Sequence, residues 1–458
     1  MTRTVHVPGE LAAGRWRGPR NWLDQAFVRR LAVVGTGNAL ARALGLLFTV
    51  VVAALFVPAD YGYIRWAMSV GMLAAIPATA GPVALARALG RAHGDPAHQA
   101  ALARVGLAAI AGVTGLAALA TALGLGLLGR PVGGVLAVLV GMTLFTTCFN
   151  IYRGVGNTWR MAALAAGGNT LQLAVVLVLC GALGLRVPDL ALVVYAFAWL
   201  VVLLALEWHA GPHAVLWAPF AALRRWGVEP WLGPLGQETW VELWRVWGPL
   251  VLAQAAYTVW MWADVVLVEH FLGAAAAGQY GLARTGVTIF LLVPEAIVML
   301  LLPHVAAAGR QARGLTGRLL VFTAAVSLVL LGGILLLAPP LLQVFGGGRY
   351  AAATAALPGL AVGMALYALY MVLEGHLVGL GRAGAHAVGV TVMAATTLAG
   401  ATLLLPRWGL VGAGLAFAGG AAAGLATLGL LGCGVLAHRP GRPGRLRARK
   451  LVMTGWGR

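Results

Sequence analysis

The chain has 458 residues, of which 61% are hydrophobic and 10% charged, with a formal net charge of +19. A soluble domain carries about 25% charged residues, so no aqueous fold could hide this much apolar surface, and lipid must be the solvent. A transmembrane barrel is excluded too: its strands alternate apolar and polar residues over about ten positions, whereas the runs here are apolar all round.

A spanning helix needs about 20 mostly apolar residues. In chain order such stretches fall at 31–57, 64–90, 101–128, 132–152, 162–184, 189–208, 248–271, 280–303, 316–338, 353–378, 383–405 and 411–437. They predict an all-α polytopic membrane protein with twelve transmembrane helices. Residues 1–30 read as a basic cytoplasmic N-terminal arm. The first apolar run is longer than a signal-peptide core, so no cleaved signal is expected. A first six-helix bundle is expected over 31–208 and a second over 248–437. Between them, 209–247 holds Trp217, Trp226, Trp231, Trp240, Trp244 and Trp247 with Arg224, Arg225, Glu229, Glu238 and Glu242. Tryptophan favours the membrane interface, which predicts a cytoplasmic interfacial linker. Residues 438–458 form a basic cytoplasmic tail.

The charges sort by topology. With the N-terminus inside, the arm, the even-numbered loops and the tail hold 25 of the 32 Lys and Arg. Arg65, Arg130, Arg186, Arg349 and Arg407 fall in outer loops. The positive-inside rule then places both termini in the cytoplasm. The basic tail reads as an anchor to anionic lipid headgroups, a membrane-lipid partner rather than nucleic acid. Cys148, Cys180 and Cys433 lie in apolar runs without metal-ligand spacing and imply no disulfide framework. No Gly-x4-Gly-Lys-Ser/Thr loop is present, so energy must come from a gradient or from the substrate. No metal, cofactor or catalytic constellation is expected, and the chain reads as a transporter rather than an enzyme.

Three features suggest an internal repeat. Arg153-Gly154-Val155-Gly156-Asn157 and Val378-Gly379-Leu380-Gly381-Arg382 carry Gly-x-Gly turns 225 residues apart. Phe56-Val57-Pro58-Ala59-Asp60-Tyr61-Gly62-Tyr63 parallels Phe271-Leu272-Gly273 with Ala277-Gly278-Gln279-Tyr280. Pro77 and Pro294 then follow inside the next spans. Two parallel six-helix repeats related by a pseudo-two-fold along the membrane normal are expected.

These loops resemble a known family. Phe56 to Gly62, with Gly81-Pro82-Val83-Ala84-Leu85-Ala86-Arg87, is similar to the first two helices of polysaccharide transporters. Those are the O-antigen and exopolysaccharide flippase branch of the multidrug/oligosaccharidyl-lipid/polysaccharide exporter superfamily. Gly278-Gln279-Tyr280-Gly281-Leu282-Ala283, Pro294 and Leu302-Pro303 resemble its seventh and eighth helices. Val344-Phe345 with Arg349-Tyr350, Gly379-Leu380-Gly381-Arg382 and Gly409-Leu410-Val411-Gly412-Ala413 resemble its C-terminal half. The resemblance covers about 31–437. It implies a V-shaped, alternating-access flippase that moves a polyprenyl-pyrophosphate-linked oligosaccharide outward for surface polysaccharide or lipopolysaccharide synthesis. A polysaccharide polymerase or glycosyltransferases are candidate protein partners.

Intramembrane charges carry the candidate site. Arg42 lies near the middle of the first span, where an Arg costs roughly 2.5–3.5 kcal/mol and must face water, protein or a counter-charge. It reads as the cation for the pyrophosphate, since guanidinium matches phosphate bidentately; the alternative is a pair with Asp264 or Glu295. Asn38, one turn earlier, orients Arg42, binds sugar hydroxyls or glues helices. Arg284 faces the cavity or snorkels to outer headgroups. Asp264 and Glu295 read as ion-coupling carboxylates or as structural counter-charges. Glu374, His376 and Arg87 read as boundary anchors. Two further transporter readings are a cation-coupled multidrug exporter and a peptidoglycan lipid-precursor flippase. The first would need an acid-lined cavity, and the first span offers Arg42 and no carboxylate. The second typically carries extra C-terminal spans.

Overall fold

A computed structural model describes residues 25–91, 96–210, 234–345 and 348–436. Every regular element among them is helical. The longer ones are α1 (Gln25–Leu55), α2 (Pro58–Ala74), α3 (Ile76–Arg91), α4 (Pro96–Leu127), α5 (Gly133–Gly154), α6 (Thr158–Val176) and α7 (Pro188–Ala210). After them come α8 (Pro234–Leu272), α9 (Ala274–Gly286), α10 (Leu292–Ala308), α11 (Arg313–Phe345), α12 (Leu357–Gly379) and α13 (Ala383–Leu436). A π-helical turn, Leu177–Ala182, continues α6.

Among the described residues nine helices are long and apolar enough to cross a membrane, or ten when α2 and α3, bent by 58°, count as one broken span. The helix α13 is counted there once, yet its 54 residues would extend roughly 80 Å at 1.5 Å per residue. The hydrocarbon layer is about 30 Å thick. Gly409 breaks α13 at φ 54°, ψ −134°, in a region that a Cβ makes costly. On either side the chain folds back on itself: a Cβ at Gly412 would meet Leu404, one at Gly420 would meet Thr397, and one at Gly424 would meet Met393. So α13 is a hairpin of two spans, and each of the twelve predicted stretches coincides with a helical segment.

The predicted interior prolines sit elsewhere than in mid-helix. The second span is interrupted at Ala75, and Pro77 stands in the first turn of α3. In the eighth span a 3-10 turn, Val287–Leu291, separates α9 from α10, and Pro294 stands in the first turn of α10. The first turn is where a missing N–H goes unnoticed. Both spans therefore restart at a proline.

Contacts divide the chain into two compact units, Met1–Val52 with Pro77–Trp247, and Ala53–Ile76 with Gly248–Arg458. The division differs from chain order in one element: α2 packs in the second unit, against α9. The two helices run parallel and nearly touch. A Cβ at Gly62 would lie 1.7 Å from the Ala274 carbonyl oxygen, and one at Gly278 would lie 2.2 Å from the Pro58 carbonyl oxygen. In lipid, where no hydrophobic force drives helices together, such small-residue contacts supply the packing. Tyr350 closes the same corner by donating its hydroxyl to the Phe56 carbonyl at 3.3 Å.

The tryptophan-rich stretch is only partly described. Residues 211–233, with Trp217, Trp226 and Trp231, lie outside the described residues. Residues 234–247 belong to α8, continuous with the seventh span, rather than to a separate interfacial segment. The arm up to residue 24 and the tail from 437 also lie outside the described residues.

Candidate functional site

Each unit gathers polar side chains near the middle of its helices, and the two groups differ in charge. In the first unit, Arg42 sits near the middle of α1 and is half-buried. The preceding residue, Ala41, is 8% exposed, and its carbonyl accepts a 2.6 Å hydrogen bond from Asn169 Nδ2 on α6. One turn further on, Gln172 Nε2 donates to the Tyr195 carbonyl on α7 at 2.6 Å. Asn169, Gln172 and Tyr195 line a cavity of about 50 Å³ together with Met142, Phe145 and Trp199. No lining residue is charged. The wall is aromatic: the Phe145 and Trp199 rings meet edge to face with centroids 5.5 Å apart, and Phe48 of α1 tilts against Tyr195 at 5.9 Å. Gly168 lets α7 approach, since a Cβ there would lie 2.9 Å from Trp199 Cβ. Asn38 is placed in α1, but its side chain lies outside what is described.

In the second unit, Arg284 is 3% and Asp264 2% exposed. Arg284 Nε donates to Asp264 Oδ2 at 3.1 Å, and Tyr280 donates its hydroxyl to the same oxygen at 2.7 Å. The guanidinium stacks 4.1 Å from the Phe417 ring centroid and 5.7 Å from that of Trp260. Its Nη1 finds no hydrogen-bond partner among the described residues. The snorkelling geometry considered for Arg284 is therefore not adopted: the side chain points into the helix bundle. Asp264, considered for Arg42, is held by Arg284. Glu295 is half-buried in the first turn of α10. The 3-10 turn between α9 and α10 breaks the single helix on which it would have shared a face with Arg284.

Sequence reasoning assigned Arg65 to an outer loop. It instead lies inside α2 and is 7% exposed. Its stem rests on Gly281, where a Cβ would lie 2.7 Å from Arg65 Cγ. The guanidinium carbon is 5.8 Å from the Trp262 ring centroid, and Nε has no hydrogen-bond partner among the described residues. A sequence signal for it exists. Tyr61-Gly62-x-x-Arg65 and Tyr280-Gly281-x-x-Arg284 repeat the same spacing 219 residues apart. Each of these arginines lies against a tryptophan of α8.

Two further carboxylates are paired within their own units. In the first unit Glu207, 3% exposed, accepts from the Tyr152 hydroxyl at 2.5 Å and pairs with Arg160 at 3.7 Å. In the second, Glu374 lies 3.3 Å from His386, and His376 meets the Thr316 hydroxyl at 2.9 Å. Glu374 and His376, read as boundary anchors, thus bind neighbouring helices. Among the described residues no group of three or more His, Cys, Asp or Glu could hold a metal.

No protein-family model matches the chain, and no curated protein matches it. Solved structures do share its fold. The lipid II flippase MurJ in an inward closed conformation aligns with a TM-score of 0.68 at 11% identity, over 87% of this chain and 87% of its own. An inward-facing MATE multidrug resistance transporter of the MOP superfamily aligns at 0.65 with 15% identity, over 89% and 98%. The Vibrio cholerae MATE transporter VcmN, in a mutant form, aligns at 0.62 with 18% identity, over 91% and 98%. The chain thus shares the fold of these lipid flippase and MATE transporter structures.

Proposed function

We propose that this protein is an alternating-access flippase that moves a polyprenyl-pyrophosphate-linked oligosaccharide from the inner to the outer leaflet of the bacterial cytoplasmic membrane, with both termini in the cytoplasm. The observation that carries the reading is the set of arginines carried within the apolar helices. Arg42 is half-buried on α1 in the first unit, and in the second unit Arg65 and Arg284 are buried, with Asp264 engaging Arg284. Intramembrane cations are costly and mark substrate paths, and guanidinium matches phosphate in shape and charge. Arg42 pairs with the pyrophosphate. Arg65 is a further buried cation within the second unit, where Arg284 keeps a structural place beside Asp264. Export of negative charge from an inside-negative cell gains roughly 2.3 kcal/mol per charge per 100 mV.

The likeness to MurJ supports a lipid-linked substrate, and a peptidoglycan precursor shares the same pyrophosphate chemistry. The likeness to MATE exporters supports the multidrug alternative, but the first unit's cavity lacks the carboxylate that a cationic drug or a coupling ion would call for. Arg42→Ala and Arg65→Ala should each abolish glycan export at normal protein levels. Wild-type export by both variants would refute the proposal.

A further inference from the structure

A Gly-x-Gly turn closes one corner of each unit. Gly156, at φ 74°, follows α5, and Gly381, at φ 79°, follows α12. Beside each turn a tyrosine and a carboxylate tie the span to a neighbouring helix, but the cation of the cluster differs. In the first unit it is Arg160, which pairs with Glu207 and stays charged at every physiological pH. In the second unit it is an imidazole. His386, in the first turn of α13, lies 3.3 Å from Glu374 Oε1 of α12. The Tyr370 hydroxyl lies 3.1 Å from His386 Nδ1 and 3.1 Å from the His386 carbonyl oxygen. That carbonyl can only accept, so both contacts are hydrogen bonds when the hydroxyl proton goes to the carbonyl and Nδ1 carries a proton of its own. Nδ1–H then faces two acceptors, Tyr370 Oη and Glu374 Oε1.

The charge of this corner depends on one proton. With it, Glu374 and His386 are together neutral, as carboxylate with imidazolium or as acid with imidazole. Without it, they carry one negative charge. Groups this close titrate as a unit. Their surroundings offer no compensation. Tyr367 and Tyr370 of α12 stack at 5.7 Å, Tyr257 of α8 lies behind Tyr367, and the second half of α13 brings Leu428 against Gly389. His376 turns to Thr316 of α11 instead, in the field of Arg313, and Arg382 is exposed on the turn. Neither Glu374 nor His386 has an arginine or lysine partner among the described residues. With the carboxylate 25% and the imidazole 20% exposed, water reaches both, yet most of an uncompensated charge would be out of it, which is costly. We infer that Glu374 and His386 form a proton-binding site that latches α12 to the first half of α13: the bound proton closes the corner, and its release loosens it. The first unit, held by Arg160, has no such proton to lose at its own corner. On the proposed topology the turn after α12 faces the cytoplasm, so the site reads cytoplasmic pH in the range of about 5 to 8, where an imidazole changes charge. The inference concerns helix packing and stands whatever substrate the protein moves.

The test is hydrogen exchange of the full chain in nanodiscs, corrected for intrinsic rates and read on peptides spanning 379–390 from about pH 5.5 to about pH 8.5. The closed corner holds a proton that the separated groups release, so protection falls as pH rises through the pair's titration. The slope should reach up to about 10-fold per pH unit, the limit for one linked proton. Peptides spanning 152–162, at the first unit's corner, should keep constant protection. Glu374→Gln keeps an acceptor for Nδ1–H but removes the shared proton, and should flatten the profile. His386→Arg, which copies the fixed cation of Arg160, should flatten it at high protection. Where either variant fails to fold, His386→Gln replaces it and should give a flat profile at low protection. His376→Gln should leave the wild-type slope, which separates the neighbouring imidazole from the site. A flat wild-type profile, an equal slope at both corners, a slope that survives Glu374→Gln or His386→Gln, or one lost in His376→Gln overturns the latch.

Discussion

Arg284 and Asp264 form an ion pair at 3.1 Å with both side chains almost wholly buried. The pair joins α9 to α8, and Tyr280 completes the carboxylate's hydrogen bonding. Removing one partner of such a pair leaves an uncompensated buried charge and costs about 3–5 kcal/mol, whereas replacing both with apolar residues of similar volume is often neutral. Asp264→Ala should therefore lose most folded protein in a thermal-stability assay in detergent. The double variant Asp264→Leu with Arg284→Met should recover it.

The parallel crossing of α2 and α9 allows no side chain at its centre. A methyl group at Gly62 would lie 1.7 Å from backbone, where no side chain can yield. Gly62→Ala and Gly278→Ala should cut the yield of folded, monodisperse protein sharply. At Gly112 and Gly115 of α4 a Cβ meets nothing within 4 Å, so alanine there should stay within about 0.5 kcal/mol of wild type. Size-exclusion profiles of the four variants check this.

Gly409 turns the chain between the two halves of the α13 hairpin at φ 54°, ψ −134°. Alanine there should cost about 1–3 kcal/mol. That would register as a lower midpoint in a thermal scan of the purified protein, with Gly419→Ala, in open space, as the control.

How far the sequence could lead follows from which interactions are local. The twelve helical stretches were legible because membrane spans are set by composition over about 20 residues. The halves of α13 were separable because Pro406, Arg407 and Gly409 interrupt an apolar run. Arg65 was misplaced for the converse reason. Pro58, Asp60 and Tyr61 look like a loop, yet α2 begins at Pro58, so Arg65 enters the helix bundle. That Asp264 faces Arg284 depends on how α8 packs on α9, and no spacing within either helix reveals it. The assignment of α2 to the second unit depends likewise on the Gly62–Gly278 contact, whose two residues are 216 apart in sequence. The amides of Asn169 and Gln172 lay in an apolar run and gave no signal until α1, α6 and α7 met.

On the proposed reading, the membrane potential acts through the charge of the pyrophosphate. At roughly 2.3 kcal/mol per charge per 100 mV, dissipating the potential at constant pH should slow export severalfold or more. A radiolabelled lipid-linked oligosaccharide in inverted vesicles with valinomycin and matched potassium measures it. An unchanged rate would remove the potential as the driver.

The most direct test of the account is the sidedness of lipid-linked oligosaccharide in cells from which the chain has been deleted. The intermediate should accumulate and remain inaccessible to enzymes added outside spheroplasts. The wild-type chain should restore access, and Arg42→Ala, expressed at the same level, should not. Lipid-linked oligosaccharide reaching the outer leaflet at wild-type levels without the chain, or with Arg42→Ala in its place, would contradict the account.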